Sequence, residues 1–379
     1  MALHREIIVL GDIEMGGGTL TDDFIGDNAL SKLLLELNRR PHPLDLILNG
    51  DTFDFLKCPY SKGGKLAYTR HITAEVSLSK LDLMYSAHKK VFDALTKFIR
   101  LPQHNLFFVF GNHDLDLVFP QVQEKIRKIL WAKSNVHFII RYNADGVYVE
   151  HGMQYDYLNK IDFQKVFLKH KGKELLNLSW VSFGLIGKML PLKEEHPFLE
   201  RLMDRPRLFT INKFLRKRIA WKVTEYFFKS MVYYPWRYIT DPTYAFPRGL
   251  FREFLRRMKH THWEVDTIVS VFKRNKRRSL HKNKIYVLGH VHHHYMEEKE
   301  GRVIIHSGSW RDEYDLDKNS HLVPRVKKYV QVLIGDGRCE YQVISYPLKR
   351  SKFKLEDALK NEKKCLKTAA KEEGYDLTL

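Results

Sequence analysis

Cysteine is scarce in this 379-residue chain, and what there is does not pair: Cys58, Cys339 and Cys365 are odd in number, far apart and without CxxC spacing. That excludes a disulfide framework and a thiolate zinc site, and it fits a reducing compartment. Long apolar runs are missing as well. The longest charge-free apolar stretch, Leu175 to Gly187, contains Asn177, Ser179 and Ser182, short of the roughly 18–20 residues that span a bilayer. No transmembrane helix is expected. The opening residues run straight into the apolar stretch Ile7 to Leu10, so no signal peptide is expected either. There is no internal repeat and no low-complexity block beyond Gly16-Gly17-Gly18. With 44% hydrophobic residues the chain can bury a core, which excludes disorder, collagen and coiled coil as its main class.

Acidic residues are outnumbered, 45 against 64 Lys and Arg, for a net charge of +19. The imbalance is local: Tyr157 to Leu288 holds 29 basic and 11 acidic residues, and 23 of the 48 aromatics. Basic runs there include Arg216-Lys217-Arg218 and Arg256-Arg257. A cationic, aromatic-rich insert of this kind points to an anionic partner.

Outside the insert, short apolar runs ending in Gly or polar turns alternate with longer segments of helical period, the pattern of a layered α/β fold. Strands are expected at Glu6–Leu10, Leu44–Leu48, Asn105–Phe110, Val147–Glu150 and Lys284–Leu288, and later at Arg302–Ile305, Tyr329–Ile334 and Cys339–Tyr346. Helices are expected over about Ser77–Arg100 and Gln121–Ala132, with a charged surface helix or tail from Lys352. His71, His137 and His281 sit outside any motif and receive no role.

The first five strands each end in chemistry: Asp12-Ile13-Glu14, Gly50-Asp51-Thr52-Phe53-Asp54, Gly111-Asn112-His113-Asp114, His151-Gly152 and Gly289-His290-Val291-His292. Open sheets place ligands at the carboxyl ends of their strands. Carboxylates, an amide and imidazoles converging on one patch repel one another unless cations sit among them. A metal cluster is therefore expected.

This ordered set resembles the calcineurin-like metallophosphoesterase superfamily, with its DxH…GDxxD…GNH(D/E)…H…GHxH pattern, over about Glu6–Asp156 and Lys284–Tyr346. The resemblance implies a four-layer α-β-β-α sandwich. It also implies two divalent metals, with Mn first and Fe, Zn or Mg as alternatives. Asp12, Glu14, Asp51 and His292 would hold one metal, and Asp51, Asn112, His151 and His290 the other. Two such ions clamp phosphate oxygens and hold a hydroxide that attacks phosphorus. His113 would protonate the leaving group or steady the phosphoryl charge, oriented by Asp114 or Asp54. Asp54 and Asp156 are the further substrate-side candidates. Glu14 departs from the family's His and hardens the site.

The expected organisation is a discontinuous core of residues 1–156 and 285–350, a helical cap of 157–284, and a tail of 351–379. A cap between the fourth and fifth motifs overhangs the site and selects substrates. Phe163, Val166 and Phe167, then Phe214, Leu215, Ile219, Val223 and Phe227, recur at helical spacing, and Tyr233, Tyr234, Trp236 and Tyr238 beside Arg237 suit a lipid interface. This placement is partly similar to UDP-2,3-diacylglucosamine pyrophosphohydrolases. The expectation is a cytoplasmic phosphoesterase, peripheral at the inner membrane face. Its substrate would be an anionic, lipid-linked phosphate ester or pyrophosphate, and its partner an anionic membrane surface. A nucleotide or nucleic-acid phosphodiesterase, and a catalytically impaired binding scaffold, are the alternatives.

Overall fold

The computed structural model describes residues 4–198, 201–203, 205–247, 249–253, 265–276, 279–280, 282–375 and 377; Arg256, Arg257 and His281 lie outside them. Every expected strand is present. Arg5–Leu10 lies between Leu44–Asn49, to which it is parallel, and Lys327–Gly335, to which it is antiparallel. His104–Val109 and Val136–Ile139 extend one edge of this six-stranded sheet, and Arg338–Tyr346 the other. A five-stranded sheet is built around Ile285–Leu288, parallel to both Val147–Glu150 and Arg302–Ser307, with Tyr142–Ala144 and His294–Lys299 at its edges.

Alternation within the strands explains the layers. Ile7 and Val9 of the first sheet meet Val147, Val149, Ile285 and Val287 of the second in a core between the sheets. Ile8 and Leu10 point the other way, onto the helices Asp27–Leu37 and Lys89–Ile99 through Leu30, Leu34, Leu95 and Phe98. Strands buried on both faces read as unbroken apolar runs, which is why they were legible. On the far side, Ile268, Val269 and Phe272 of the helix Val265–Lys276 cover Tyr286 and Leu288. The result is the α-β-β-α sandwich.

The helix expected over Ser77–Arg100 is two helices, Ala74–Ala87 and Lys89–Ile99, separated at His88. The His88 ring is fully buried, with Nδ1 2.8 Å from Asp27 and Nε2 3.0 Å from Asp22, and Tyr375 stacked on it. Burial works against the charged imidazole, but Asp22 and Asp27 outweigh it and push its pKa up to about 10. A raised folded pKa stabilises fully below the unfolded value of about 6.5 and loses that contribution as pH rises through the folded value. Unfolding free energy should therefore fall between pH 6.5 and 10 in the native protein. The fall should be shallower in His88→Asn, as read from urea midpoints.

Two further differences concern the insert and the tail. Phe163, Val166 and Phe167 do not share a helix: they precede and begin a β-hairpin, Phe167–His170 with Lys173–Leu176. Its last strand bonds to the core, Leu176 N–H donating to the Ile72 carbonyl at 2.9 Å. The tail is more than a charged surface helix. Leu355–Lys360 and Glu362–Glu372 bury Leu355, Leu366 and Ala369 against Phe198, Tyr314 and Leu322 in a second core.

Candidate metal centre

All five chemical motifs leave the carboxyl ends of their strands, three from the six-stranded sheet and two from the five-stranded one, so the loops meet where the two sheets face each other. The approach is close enough to need glycine at two points. A Cβ on Gly111 would lie 2.1 Å from Asp51 Oδ1, and one on Gly50, at φ +75°, 2.4 Å from His151 Nδ1. Asp12, Glu14, Asp51 and His290 themselves take positive φ of 36°, 55°, 48° and 78°. Each such residue costs roughly 1–3 kcal/mol, a strain that clusters at functional sites.

One half of the centre has donors at coordination spacing. His151 Nε2 is 3.2 Å from Asp51 Oδ2 and 3.3 Å from Asn112 Oδ1. Asp51, His151 and His290 bring one ligand atom each within 4.8 Å of one another. Metal–ligand bonds of about 2.1 Å set ligands roughly 3.0–3.4 Å apart, so a divalent ion fits. His151 is fixed for the task, because its Nδ1 donates to the Asn49 carbonyl at 2.9 Å and leaves Nε2 to the site. His290 Nε2 lies 3.2 Å from Asp156 Oδ2, which places Asp156 beside the cluster. Burial opposes ionisation of Asp51, yet His151 and His113 hold its carboxyl well below the usual carboxylate range.

The other half is unlike the expectation. His292 Nε2 faces Asp12 at 3.6 Å and Glu14 at 3.4 Å, with its Nδ1 held by Glu313 at 2.6 Å. Burial pushes the Asp12 carboxyl up to about 6 against the pull of His151 and His292. Glu14, however, already has cationic partners: Lys57 Nζ at 2.7 Å on one oxygen and Arg311 at 3.2 Å on the other. Burial opposes its ionisation, but Arg311 and Lys57 draw its carboxyl well below the usual range. The donor set still suits a hard divalent ion, although the charge that Glu14 adds is balanced by the chain itself.

His113 sits 2.9 Å from Asp54 through Nδ1, and its N–H donates to Asp51 Oδ1 at 2.7 Å. Of its two expected orienting partners, the structure selects Asp54. Asp114 has a different place: its oxygens accept from Gly111 N–H at 2.7 Å and Thr52 N–H at 2.8 Å. It ties two motif loops together in place of the orienting contact to the imidazole expected of it.

The sequence reading missed Lys57, Arg311, Asp23 and Glu313. Asp23 is fully buried and receives Lys57 at 2.5 Å, Lys193 of the insert at 2.6 Å and Arg311 at 2.8 Å. The available signal was a lysine in the otherwise apolar Phe55-Leu56-Lys57-Cys58 and an arginine beside Trp310. Their pairing is tertiary and has no spacing to read. The Ser307-Gly308-Ser309-Trp310 turn does border the site, since Ser309 Oγ and Trp310 N–H donate to the Asp12 carbonyl.

The profile of the calcineurin-like phosphoesterase family matches residues 6–317. Among solved structures, a single mutant of Vps29 from Entamoeba histolytica is similar at 10% identity with a TM-score of 0.30, over 90% of this chain and 99% of that one. A protein described as a 5'-nucleotidase from Staphylococcus aureus is similar at 12% identity with a TM-score of 0.33, over 96% of this chain and 58% of that one. The phosphopantetheinyl hydrolase PptH from Mycobacterium tuberculosis is similar at 12% identity with a TM-score of 0.29, over 82% and 91%. No curated protein matches the chain.

Proposed function

The chain belongs to the calcineurin-like phosphoesterase family and is a metal-dependent phosphoesterase, and from that premise we propose that it hydrolyses a phosphate ester or pyrophosphate of an anionic, lipid-linked substrate with two divalent ions. The observation that carries the reading is the Asp51–Asn112–His151 spacing with His290 beside it. Asp51, Asn112, His151 and His290 would hold one ion, and Asp12, Glu14, Asp51 and His292 the other. Such ions, when bound, neutralise phosphate charge and supply a nucleophile from water near neutral pH; Mn suits the oxygen-rich first position.

The chain's own residues do the rest. Asp54 holds Nδ1 of His113, so Nε2 is the atom left to give a proton to the leaving oxygen or to steady a phosphoryl oxygen. Asp156, beside His290, would border the substrate side.

Turnover of p-nitrophenyl phosphate, bis-p-nitrophenyl phosphate and a lipid pyrophosphate, with and without Mn, tests the reading alongside Mn counted per chain. Mn-dependent hydrolysis and saturation at two ions are expected. The ion pairs on Glu14 favour one alternative, a single-ion enzyme in which Lys57 and Arg311 replace the charge of the first ion; saturation at one ion would select it. Absence of Mn-dependent turnover on all three substrates would overturn the phosphoester reading.

The partner we infer is an anionic membrane surface at the inner face. The helix Lys213–Tyr238 carries Phe214, Trp221, Phe228, Val232 and Trp236, with Ile239 just beyond, in a single stripe along one side. These six residues are 57–77% exposed. Seven Lys and Arg share the helix with one acid, Glu225, itself paired to Lys188 at 2.7 Å. An apolar stripe between cations is the chemistry of an interfacial helix on anionic lipid. A second copy of the chain is disfavoured, because its Lys217, Arg218 and Lys229 would meet their own equivalents. No helix among the described residues is long and apolar enough to cross a membrane.

Replacing Trp221 and Trp236 by Ser should weaken binding to phosphatidylglycerol-containing vesicles on the order of 100-fold, about 1.4 kcal/mol for each partly buried ring. Turnover of p-nitrophenyl phosphate should stay unchanged. Equal vesicle binding by the variant would remove this surface, and tighter binding to single-stranded oligonucleotide than to vesicles would favour nucleic acid.

A further inference from the structure

A second group of metal-type donors lies outside the phosphoesterase centre, where the insert joins the core. His71 comes from the core loop before the helix Ala74–Ala87, His170 ends the first strand of the insert's hairpin, and Asp241 follows the long helix Lys213–Tyr238. One ligand atom from each falls within 4.8 Å of the other two. Asp241 is buried, while both imidazoles reach the surface in part, so an ion has a route in.

The carboxylate is oriented for this. Its Oδ1 accepts the Thr243 N–H at 3.0 Å and the Thr243 hydroxyl at 2.7 Å, which leaves Oδ2 turned to His71 Nε2 at 2.7 Å. Metal-binding carboxylates are held by outer hydrogen bonds of this kind. The His170 ring lies beside that of His71, tilted by 45° with centroids 5.2 Å apart, and makes no hydrogen bond among the described residues. The neighbouring Arg70 gives its donors to the Thr243 carbonyl and hydroxyl and to Tyr234, and lies 4.0 Å over both Phe183 and Tyr244. It braces the same turn, and Asp241 Oδ2 is left to the imidazoles.

We infer that His71, His170 and Asp241 form a divalent transition-metal site, of the two-imidazole, one-carboxylate class that takes Zn(II), separate from the phosphoesterase centre and clasping the insert to the core. Two borderline nitrogens and one oxygen select Zn over Mg or Ca. Binding displaces the proton that His71 and Asp241 share, and the fourth position falls to water. One bound ion would then fix three ends at once: the core loop, the hairpin and the foot of the stripe-bearing helix.

The test is Zn counted per chain after chelation, reloading and desalting of the full chain, in the native protein and in His71→Ala and Asp241→Asn. Each variant is expected to hold one ion fewer than the native protein, with the phosphoesterase ions retained. An equal count in all three overturns the site. His170→Cys guards against loss of fold, because a thiolate also ligates. Loaded with Co(II), it is expected to show a thiolate-to-cobalt charge-transfer band that the native protein lacks. A folded His170→Cys without that band overturns the site as firmly.

Discussion

Asp51→Asn is expected to lower turnover on the order of 10³-fold or more, the scale of losing a group that stabilises the transition-state charge directly. The expectation comes from the number of roles in one side chain. Oδ1 accepts the His113 N–H at 2.7 Å, and Oδ2 faces His151 at 3.2 Å. In the proposed arrangement the same carboxylate would also help to hold both ions. The amide replacement keeps the volume, so the fold should persist, but it removes the charge that lets one residue serve two cations. Metal content should fall along with the rate, read by mass spectrometry after desalting. Full activity in this variant would sink the two-ion proposal, whereas a lost rate with both ions retained would move Asp51 from ligand to orienting partner.

The largest stability effect is expected at Asp23. Asp23→Asn should cost about 3–5 kcal/mol, the range for removing one member of a buried charge network. No solvent screens this position, and Lys57, Lys193 and Arg311 all point at it within 2.8 Å. Burial opposes ionisation of Asp23, but Arg311 and Lys193 hold its carboxyl well below the usual range. A lowered folded pKa contributes stability above the unfolded value of about 3.9 and loses it as pH falls below. The variant should therefore differ most from the native protein at neutral pH and converge with it in acid, as urea midpoints would record. A neutral-pH loss under about 1 kcal/mol would mean that the network is worth no more than an exposed pair such as Lys89–Asp93.

What could be read beforehand divides along a physical line. The strands and the motif residues behind them were legible because burial on both faces leaves unbroken apolar runs, and because each motif follows its strand directly. On those grounds Asp51, Asn112, His151 and His290 were expected at one centre, and the structure brings their side chains together there. The break at His88 was not legible, since the acids that draw it out of the helix pattern, Asp22 and Asp27, are more than sixty residues away. The partners of Glu14 were hidden in the same way. From the sequence alone, its replacement of His looked like a change in metal preference. With Lys57 and Arg311 on either side it is also a change in local charge balance, and Glu14→His would leave two buried cations facing an imidazole. The hairpin at Phe167–Leu176 was missed because Phe163, Val166 and Phe167 fit a helical period as well as the start of a strand.

The place of Arg5–Leu10 governs how the molecule can be made. This strand leaves the ribosome well before one of its two neighbours, Lys327–Gly335, which is separated from it by more than three hundred residues. At roughly 5–20 residues per second the gap lasts from about fifteen seconds to a minute. Throughout that interval the loop with Asp12 and Glu14 sits on a sheet with an open edge, while His290, His292 and Arg311 are late arrivals. The donors from the two ends of the fold meet only after the chain through Arg311 has emerged. Until then the nascent chain must be kept from pairing its exposed strand with another.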